Sequence, residues 1–317
     1  MTDLCATPED VRYAYRLLLG REPDPDGLRF HIDLVRKRKL PVSELGELFL
    51  SSEEFHDRKA VSAASDEITV RGVSLFPRRN DRLIGKEMRD SGDYEPWVIS
   101  HFLAELTRGF GVLDVGANIG FFSMLASRAV GSEGIVIAVE PLARNLRSLY
   151  AATAANDATN VRVLALAASD KPGIARIACE NDSSNGVLVP GIRGGEMVQA
   201  GPLDEWLTDM PRLDVVKIDV EGHEPRALRG MRNTLAKFKP ILFAEFGPHG
   251  VKNHSGVEPK EFADWFAGYG YIDVLRRDGT TITAPSGRAL LDLWEKENQC
   301  AGMDGHLHLD IRVRPER

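Results

Sequence analysis

Residues 112–121 read Val-Leu-Asp-Val-Gly-Ala-Asn-Ile-Gly-Phe, and an apolar stretch that favours a helix follows them directly. An apolar strand that ends in a glycine-containing turn and opens a helix is typical of α/β domains that bind a nucleotide-like cofactor. Gly116 and Gly120 let the backbone approach a ligand where a Cβ atom would collide. Asn118 belongs to the few residue types that tolerate left-handed backbone angles. The stretch therefore predicts a cofactor-binding turn at the end of a strand.

The spacing of the glycines distinguishes between cofactors. Dinucleotide-binding turns carry Gly-x-Gly-x-x-Gly so that the backbone touches a pyrophosphate, whereas this turn reads Gly-x-x-x-Gly, with Asp114 just before it. S-adenosylmethionine has no phosphate, and its amino-acid tail offers an ammonium to Asp114 and a carboxylate to backbone N–H groups. Glu140 ends the next predicted strand, at the distance where an acidic residue usually binds ribose hydroxyls. We therefore predict S-adenosylmethionine as cofactor; a tight turn without a ligand is the alternative.

Composition narrows the class of protein. The 317 residues are 43% hydrophobic, which suffices for a large core, and the net charge of −7 with dispersed basic residues argues against a nucleic-acid binder. The compact basic run at 36–39 is typical of a solvated helix end. Three distant cysteines, Cys5, Cys179 and Cys300, fit a reduced protein. No apolar stretch approaches the ~18 residues of a membrane span, and we see no signal peptide. We expect a cytoplasmic protein.

Patterning along the chain predicts three segments. We expect residues 1–60 to form a small helical module, residues 61–79 a linker and lead-in, and residues 80–317 an α/β domain with a mostly parallel, Rossmann-like sheet. The last strand alternates polar and apolar residues, as an antiparallel edge strand does. The predicted strands cover 111–115, 135–140, 161–167, 213–220, 240–246, 270–276 and 306–313. The predicted helices of this domain cover 119–130, 143–155, 224–236 and 258–268.

A second group of charged residues lies in the stretch 213–224, which reads Leu-Asp-Val-Val-Lys-Ile-Asp-Val-Glu-Gly-His-Glu. Strand alternation places Lys217, Asp219 and Glu221 on one side, at the carboxyl end where open α/β sheets bind ligands. These residues and His223 are our candidate catalytic residues. An ion pair that merely supports the sheet is the alternative. Glu245 and His249 are candidates to complete the pocket, although an ordinary loop histidine fits His249 equally well.

No metal site is predicted, although oxygen ligands from Asp219, Glu221 and Glu245 would suit Mg²⁺ or Ca²⁺. His306 and His308 lie on one face of the last predicted strand, and we interpret that face as solvated and not as a metal site.

Five motifs in order resemble the FkbM family of S-adenosylmethionine-dependent methyltransferases, which act mostly on hydroxyls. They are Gly-Asp-Tyr-Glu-Pro at 92–96, the 112–121 turn, Ala-Ala-Ser-Asp at 167–170, Pro-Leu-Asp-Glu-Trp at 202–206 and the Lys-Ile-Asp-Val-Glu-Gly stretch at 217–222. The resemblance implies a seven-stranded sheet of the class I methyltransferase type with its last strand antiparallel. It implies a donor site formed by Glu95, Asp114, Gly116, Ala117, Asn118, Gly120, Phe121, Glu140, Pro141, Ala167, Ala168 and Ser169.

The N-terminal segment resembles a short helical module found in bacterial surface, secreted and glycan-related proteins. The similarity is carried by Tyr-Arg-Leu-Leu-Leu-Gly-Arg-Glu-Pro-Asp-Pro-Asp-Gly-Leu at 15–28 and Phe-Leu-Ser-Ser-Glu-Glu-Phe at 49–55. It implies docking to a protein or membrane surface and no catalytic residue. Together the resemblances favour O-methylation of a small molecule or saccharide, and among saccharides they favour a bacterial surface glycan. The alternatives are a carboxylate or amine acceptor, a nicotinamide oxidoreductase, and a non-catalytic interaction protein.

Overall fold

The computed structural model describes residues 5–19, 21–52, 54–55, 65–79, 81–179, 186–188 and 195–316. The chain divides into two compact units, Met1–Ser65 and Asp66–Arg317. The predicted boundary at residue 60 lies outside the described residues. No helix within the described ranges is long and apolar enough to cross a membrane.

The described part of the N-terminal unit includes the helices Pro8–Leu17, Pro25–Arg38 and Val42–Leu50. Thr7 and Asp10 form a reciprocal capping box at the first helix, and the Asp24 carboxylate caps the second, each satisfying N–H groups that a helix start leaves open. Tyr15 packs edge-on against Phe49 at 4.9 Å between ring centroids. The unit thus has its own small buried core, to which Val11, Tyr15, Val35, Leu45 and Phe49 contribute.

The larger unit is built on a central sheet. Its strands, in the order in which they lie side by side, are β5 (Val161–Leu164), β4 (Ile135–Val139), β3 (Gly111–Val115), β10 (Val215–Ile218), β11 (Ile241–Phe246), β14 (Leu309–Pro315), β12 (Gly270–Leu275) and β13 (Thr281–Ala284). β5, β4, β3, β10 and β11 run parallel. β14 is antiparallel to both of its neighbours, and β13 is antiparallel to β12. The order reverses between β3 and β10, so the carboxyl ends of these two strands flank a crevice.

A smaller sheet and a hairpin complete the strands of this unit. The smaller sheet has the order β6 (Ala167–Ala168), β9 (Glu196–Gly201), β7 (Gly173–Cys179) and β8 (Gly186–Leu188), and the hairpin joins β1 (Ile68–Val70) to β2 (Val73–Leu75). The helices are Ile84–Ser91, Pro96–Glu105, Phe121–Val130, Ala143–Ala155, Glu224–Arg229, Arg232–Phe238, Pro248–Gly250, Pro259–Tyr269 and Gly287–Ala301, with a π-helical turn at Val251–Ser255. These helices pack against the central sheet. The apolar side chains of the helices and the sheet form two buried clusters, as expected for a mostly parallel sheet.

The predicted fold class is confirmed, and several details are corrected. The described part of the central sheet has eight strands where seven were predicted. The last strand is antiparallel as predicted, but it lies inside the sheet between β11 and β12 and not at an edge. The predicted strand 161–167 ends at Leu164, because Ala167–Ala168 pairs in the smaller sheet. The predicted helix 224–236 is divided at residues 230–231. Residues 68–75, assigned to the linker, form the β1–β2 hairpin, whose apolar side chains are buried in the larger unit.

Candidate active site

The turn after β3 is shaped by contact with the loop after β10. Gly116 has φ +85°, and a Cβ atom there would lie 1.9 Å from the backbone oxygen of Asp219. Its N–H and that of Ala117 both donate to the carbonyl of Val139, at 2.9 and 3.0 Å. Asn118 has φ +52°, the left-handed conformation predicted for it. A glycine is required at 116 because of both the backbone angle and the packing.

Asp114 presents a buried carboxylate next to this turn. Its side chain is 1% exposed. The Ser123 hydroxyl donates to Oδ2 at 2.6 Å, while Oδ1 is buried and accepts no hydrogen bond from the residues that the structure describes. Burial raises the pKa of Asp114, and the nearby Lys217 ammonium opposes that shift. Since a buried acceptor without a partner is costly, Oδ1 is suited to accept a hydrogen bond from a cationic ligand.

Glu140 ties the turn to the loop after β4. Its Oε2 accepts the N–H of Asn118 at 2.9 Å, and its Oε1 accepts the N–H of Leu142 at 2.8 Å. Asn145 Nδ2 donates to the same Oε1 at 3.4 Å. Burial raises the pKa of Glu140 to about 7, although these hydrogen bonds lower it. A carboxylate has about four acceptor positions, so Glu140 retains capacity for ligand hydroxyls while it holds the two loops together.

A cleft with about 1040 Å³ of empty space, partly open to solvent, lies over the carboxyl ends of β3, β4 and β10. Most of the predicted site residues line it: Asp114, Gly116, Ala117, Asn118, Phe121, Glu140, Pro141, Ala167, Ala168, Lys217, Asp219, Glu221 and His223. Three of the predicted catalytic and donor-site residues do not line this cleft. Gly120 packs against Leu149, Ser169 lies behind His223, and Glu95 lines a small adjoining cavity.

Several lining residues were not predicted. Ile84 and Met88 come from the helix Ile84–Ser91, and Tyr94 precedes the next helix. Asn145 and Ile177 line the side near β4 and β7. The amphipathic spacing of Ile84 and Met88 is a signal for a helix, but their contact with the cleft depends on tertiary packing that spacing does not reveal. Tyr94 belongs to the 92–96 motif identified in the sequence, so that motif pointed to this part of the cleft.

Lys217 is the buried cation of the cleft. It pairs with Asp114 in register across β3 and β10, and its Nζ lies 3.0 Å from Asp219 Oδ2 and 4.4 Å above the ring of Phe122. Burial alone lowers the pKa of a lysine, but Asp219, Glu95 and Asp114 more than offset it, and the pKa of Lys217 lies above its usual value. The Lys217–Asp219 ion pair, which was the alternative to a catalytic role, is therefore present, and both residues line the cleft.

Glu221 and Glu245 form the far wall of the cleft. Glu221 has φ +54°, and its carbonyl accepts a 2.6 Å hydrogen bond from His254 Nδ1. Burial, then Asp219 and Glu245, raises the pKa of Glu221 to about 9. His308 Nδ1 donates to Glu245 Oε2 at 2.8 Å, and this bond raises the pKa of His308 to about 9. Glu245 thus lines the cleft. His249, the other candidate to complete the pocket, packs against His306 at 4.3 Å between ring centroids and is not among the described residues that line it.

The adjoining cavity is lined by acidic side chains around Lys217. Glu95, with φ +45° at the start of the helix Pro96–Glu105, lies there with Asp219, Glu245 and Asp310. Burial raises the pKa of Glu95 to about 8, although Lys217 lowers it. Trp97 Nε1 donates to Asp310 Oδ2 at 2.7 Å. Glu95 thus lines this cavity with Lys217 and Asp310, and its role in donor binding stays a prediction.

His223 contributes a neutral imidazole. It is buried, and its Nε2 lies 3.2 Å from the Ser169 hydroxyl, while Nδ1 has no hydrogen-bond partner in the described part of the chain. Burial, then Arg226, lowers the pKa of His223 to about 4. Across the described ranges, no three His, Cys, Asp or Glu side chains are arranged to hold a metal ion. The arrangement is suited to bind hydroxyls and to accept a proton.

Comparison with known proteins identifies the family. Residues 114–272, half of the chain, match the family described as the methyltransferase FkbM domain. The hexuronic acid methyltransferase AglP of Haloferax volcanii is 30% identical over 175 residues, which cover 52% of this chain and 64% of that protein. The chain thus spans less than two thirds of this relative.

Solved structures with a similar arrangement are more distant. The methyltransferase FkbM from Methylobacillus flagellatus KT has 18% sequence identity and a TM-score of 0.39, and the match covers 84% of this chain and 56% of that one. The precorrin-6y C5,15-methyltransferase from Geobacter metallireducens GS-15 has 12% identity and a TM-score of 0.38, with 68% and 87% covered. On the match over residues 114–272, the chain belongs to the FkbM methyltransferase family.

Proposed function

We propose that the protein transfers a methyl group from S-adenosylmethionine to a hydroxyl oxygen of a saccharide. The observation that carries the proposal is the buried, unsatisfied Oδ1 of Asp114 beside the turn at Gly116, in a cleft shared with Lys217 and Asp219. A carboxylate with one free acceptor suits an ammonium, and a turn that admits no side chain suits a backbone-bound ligand. Membership of a methyltransferase family supports the proposed methyl transfer.

The donor half of the cleft fits S-adenosylmethionine. Asp114 would take the ammonium, and the open N–H groups of the first turn of the helix Phe121–Val130 would take the carboxylate. Glu140 would accept the ribose hydroxyls, and Ala167 and Ala168 would border the adenine. When bound, the cofactor supplies a methyl group that its sulfonium has already activated. The protein therefore has to align the acceptor oxygen, exclude water and remove a proton.

The acceptor half offers side chains for that proton transfer. Asp219 is held by Lys217 at 3.0 Å and lines the cleft, which suits it to orient the acceptor hydroxyl and take its proton. Glu221, with its pKa near 9, carries a proton at neutral pH and donates a hydrogen bond. His223 is neutral at that pH because its pKa is near 4, so Nδ1 or Nε2 accepts a hydrogen bond according to the tautomer.

Two observations support a saccharide acceptor. The relative AglP is named a hexuronic acid methyltransferase, and the N-terminal module resembles one that occurs in glycan-related proteins. We extend the proposal to a bacterial surface glycan as the acceptor class, a cytoplasmic location, and docking through the N-terminal module. A carboxylate or amine acceptor is the alternative within the same donor site.

Asp219→Asn tests the proposal because it removes the negative charge with little change in volume. We expect turnover to fall by about 10²-fold or more, while binding of S-adenosylhomocysteine stays within about threefold of wild type. The readout is S-adenosylhomocysteine release with a panel of saccharide acceptors. Asp214→Asn is the matched control, because Asp214 lies at the other end of the same strand and pairs with Arg212. Full activity of Asp219→Asn would remove Asp219 from the mechanism.

A further inference from the structure

The C-terminal strand β14 contributes to the acceptor end of the cleft. His308 precedes β14, and its Nδ1 donates to Oε2 of Glu245 at 2.8 Å. Glu245 lines both the cleft and the adjoining cavity, and it pairs in register with Asp310 across β11 and β14. The family match ends at residue 272, so His308 lies outside the matched segment.

Charge at this end of the cleft disfavours an anionic acceptor. Of the described residues that line it, one is a lysine and none is an arginine, and that lysine, Lys217, is already paired with Asp219. The carboxyl groups of Asp219, Glu221 and Glu245 surround the same space. Asp219 and Glu245 are each paired with one cationic side chain, Lys217 and His308, while Glu221 holds a proton at neutral pH. A sugar carboxylate would therefore lie beside two carboxylates with no unpaired cation among the described lining residues, and such juxtaposed like charges are unfavourable.

Two independent features suit an uncharged sugar ring. The Nδ1 atom of His223 is buried and has no partner in the described part of the chain, although its residue lines the cleft. An imidazole nitrogen of this kind accepts or donates one hydrogen bond, as a hydroxyl requires. Tyr94, which is half-buried, lines the same cleft and offers aromatic surface to the C–H face of a pyranose.

We infer that the acceptor is an uncharged, hydroxyl-rich sugar ring, which the carboxylate of Glu245 binds through its hydroxyls while His308 acts as a positioning residue for Glu245. This inference rests on the proposed function and narrows its acceptor class. A carboxylate accepts hydrogen bonds from two neighbouring hydroxyls at once. The His308 hydrogen bond occupies Oε2 from the side away from β10 and thereby restricts the rotation of the Glu245 carboxylate. Hexuronates are then poor ligands of this chain.

The test compares matched neutral and anionic sugars on the full-length protein saturated with S-adenosylhomocysteine. The probes are the methyl glycosides of glucose, galactose and mannose, each paired with its uronic acid, which differs only in carrying a carboxylate at C6. Binding is measured by calorimetry and by saturation-transfer NMR. We expect at least one neutral glycoside to bind about tenfold or more tightly than its uronate.

Substitutions test whether Glu245 and His308 cause the difference in affinity between the neutral sugar and its uronate. His308→Ala is expected to weaken binding of the neutral glycoside about fivefold, and His308→Asn, which keeps a donor near the Nδ1 position, to restore most of it. Glu245→Gln should narrow the gap between the neutral sugar and its uronate. His306→Ala is the matched control, because His306 packs against His249 and not against Glu245. Thermal melting of each variant verifies that it is folded.

Two results would overturn the inference. One is a uronate that binds as tightly as its neutral partner or more tightly, and the other is the absence of binding by all three neutral glycosides. Loss of neutral-sugar affinity in His306→Ala equal to that in His308→Ala would remove His308 from its assigned role. Failure of S-adenosylhomocysteine itself to bind would instead contradict the proposed function, so the two failures are distinguishable.

Discussion

Glu221 has a left-handed backbone conformation and a buried carboxyl group. Each feature costs free energy, which favourable interactions elsewhere in the fold offset. Its pKa is raised from 4.5 to about 9 by burial and by Asp219 and Glu245. The folded protein therefore holds this proton at pH values where the unfolded chain has released it. The stability that the protonated group contributes is lost progressively as the pH rises from about 4.5 toward 9.

Glu221→Gln should therefore be more stable than wild type at alkaline pH. The amide has no proton to lose, so the difference in melting temperature should be small near pH 5 and reach about 2–4 °C near pH 8.5. Thermal unfolding followed by circular dichroism across this range measures it. A difference that does not change with pH would show that Glu221 titrates normally.

The turn after β10 depends on backbone contacts between two loops, and a second glycine is critical there. Gly222 has φ +88°, and a Cβ atom would lie 2.4 Å from the carbonyl carbon of Gly250. The carboxylate of Glu224 closes the same turn by accepting the N–H groups of Val220 and Gly222 at 2.9 and 3.2 Å. This element holds Asp219, Glu221 and His223 toward the cleft.

Gly222→Ala is expected to destabilise the protein by about 3 kcal/mol or more, because strain and collision with backbone add. Gly109→Ala is the matched control, since Gly109 has a similar φ of +81° but open space around its Cβ position. That variant should cost about 1 kcal/mol. Chemical denaturation compares the two, and equal costs would show that the contact with Gly250 is unimportant.

The success of sequence-based prediction differed between elements for physical reasons. The strand–turn–helix around Gly116 was predictable because its backbone angles and spacing are local properties. The position of β14 was not, because Asp310 and Arg312 alternate with apolar residues as on a solvated edge. In the folded protein Trp97 donates to Asp310, and Asp273 and Glu105 pair with Arg312 at 2.8 and 3.0 Å. These partners are distant in sequence, so the burial of the charges is a tertiary effect.

The candidate site shows the same division between local and tertiary information. Lys217 and Asp219 could be identified from the sequence, because charged side chains in an apolar strand are costly to bury unless they are paired. The contributions of Met88 and His308 were missed, because neither lies in a motif. Met88 lines the cleft and His308 bonds Glu245 through packing between elements that are distant in sequence. Glu95 lines the adjoining cavity together with Asp310, a position that also depends on packing between elements distant in sequence.

At the scale of the whole molecule, the chain contains two units with separate cores. The described residues that line the cleft all belong to Asp66–Arg317. We therefore expect removal of residues 1–65 to leave the affinity for S-adenosylhomocysteine within about twofold of the full chain. Calorimetry on both proteins measures it, and a loss greater than about tenfold would show that the N-terminal unit contributes to the donor site.

Calorimetric titration with S-adenosylhomocysteine, with NAD as a parallel control, determines whether the cleft beside Gly116 binds the proposed cofactor. We predict saturable binding of S-adenosylhomocysteine and none of NAD. Asp114→Asn should weaken that binding by about tenfold or more, because the amide cannot pair with the ammonium as a charge. Ser127→Ala is the folding control, since Ser127 is on the same helix as Ser123 but bonds Asn160. Absence of binding, or binding of NAD instead, would contradict the account.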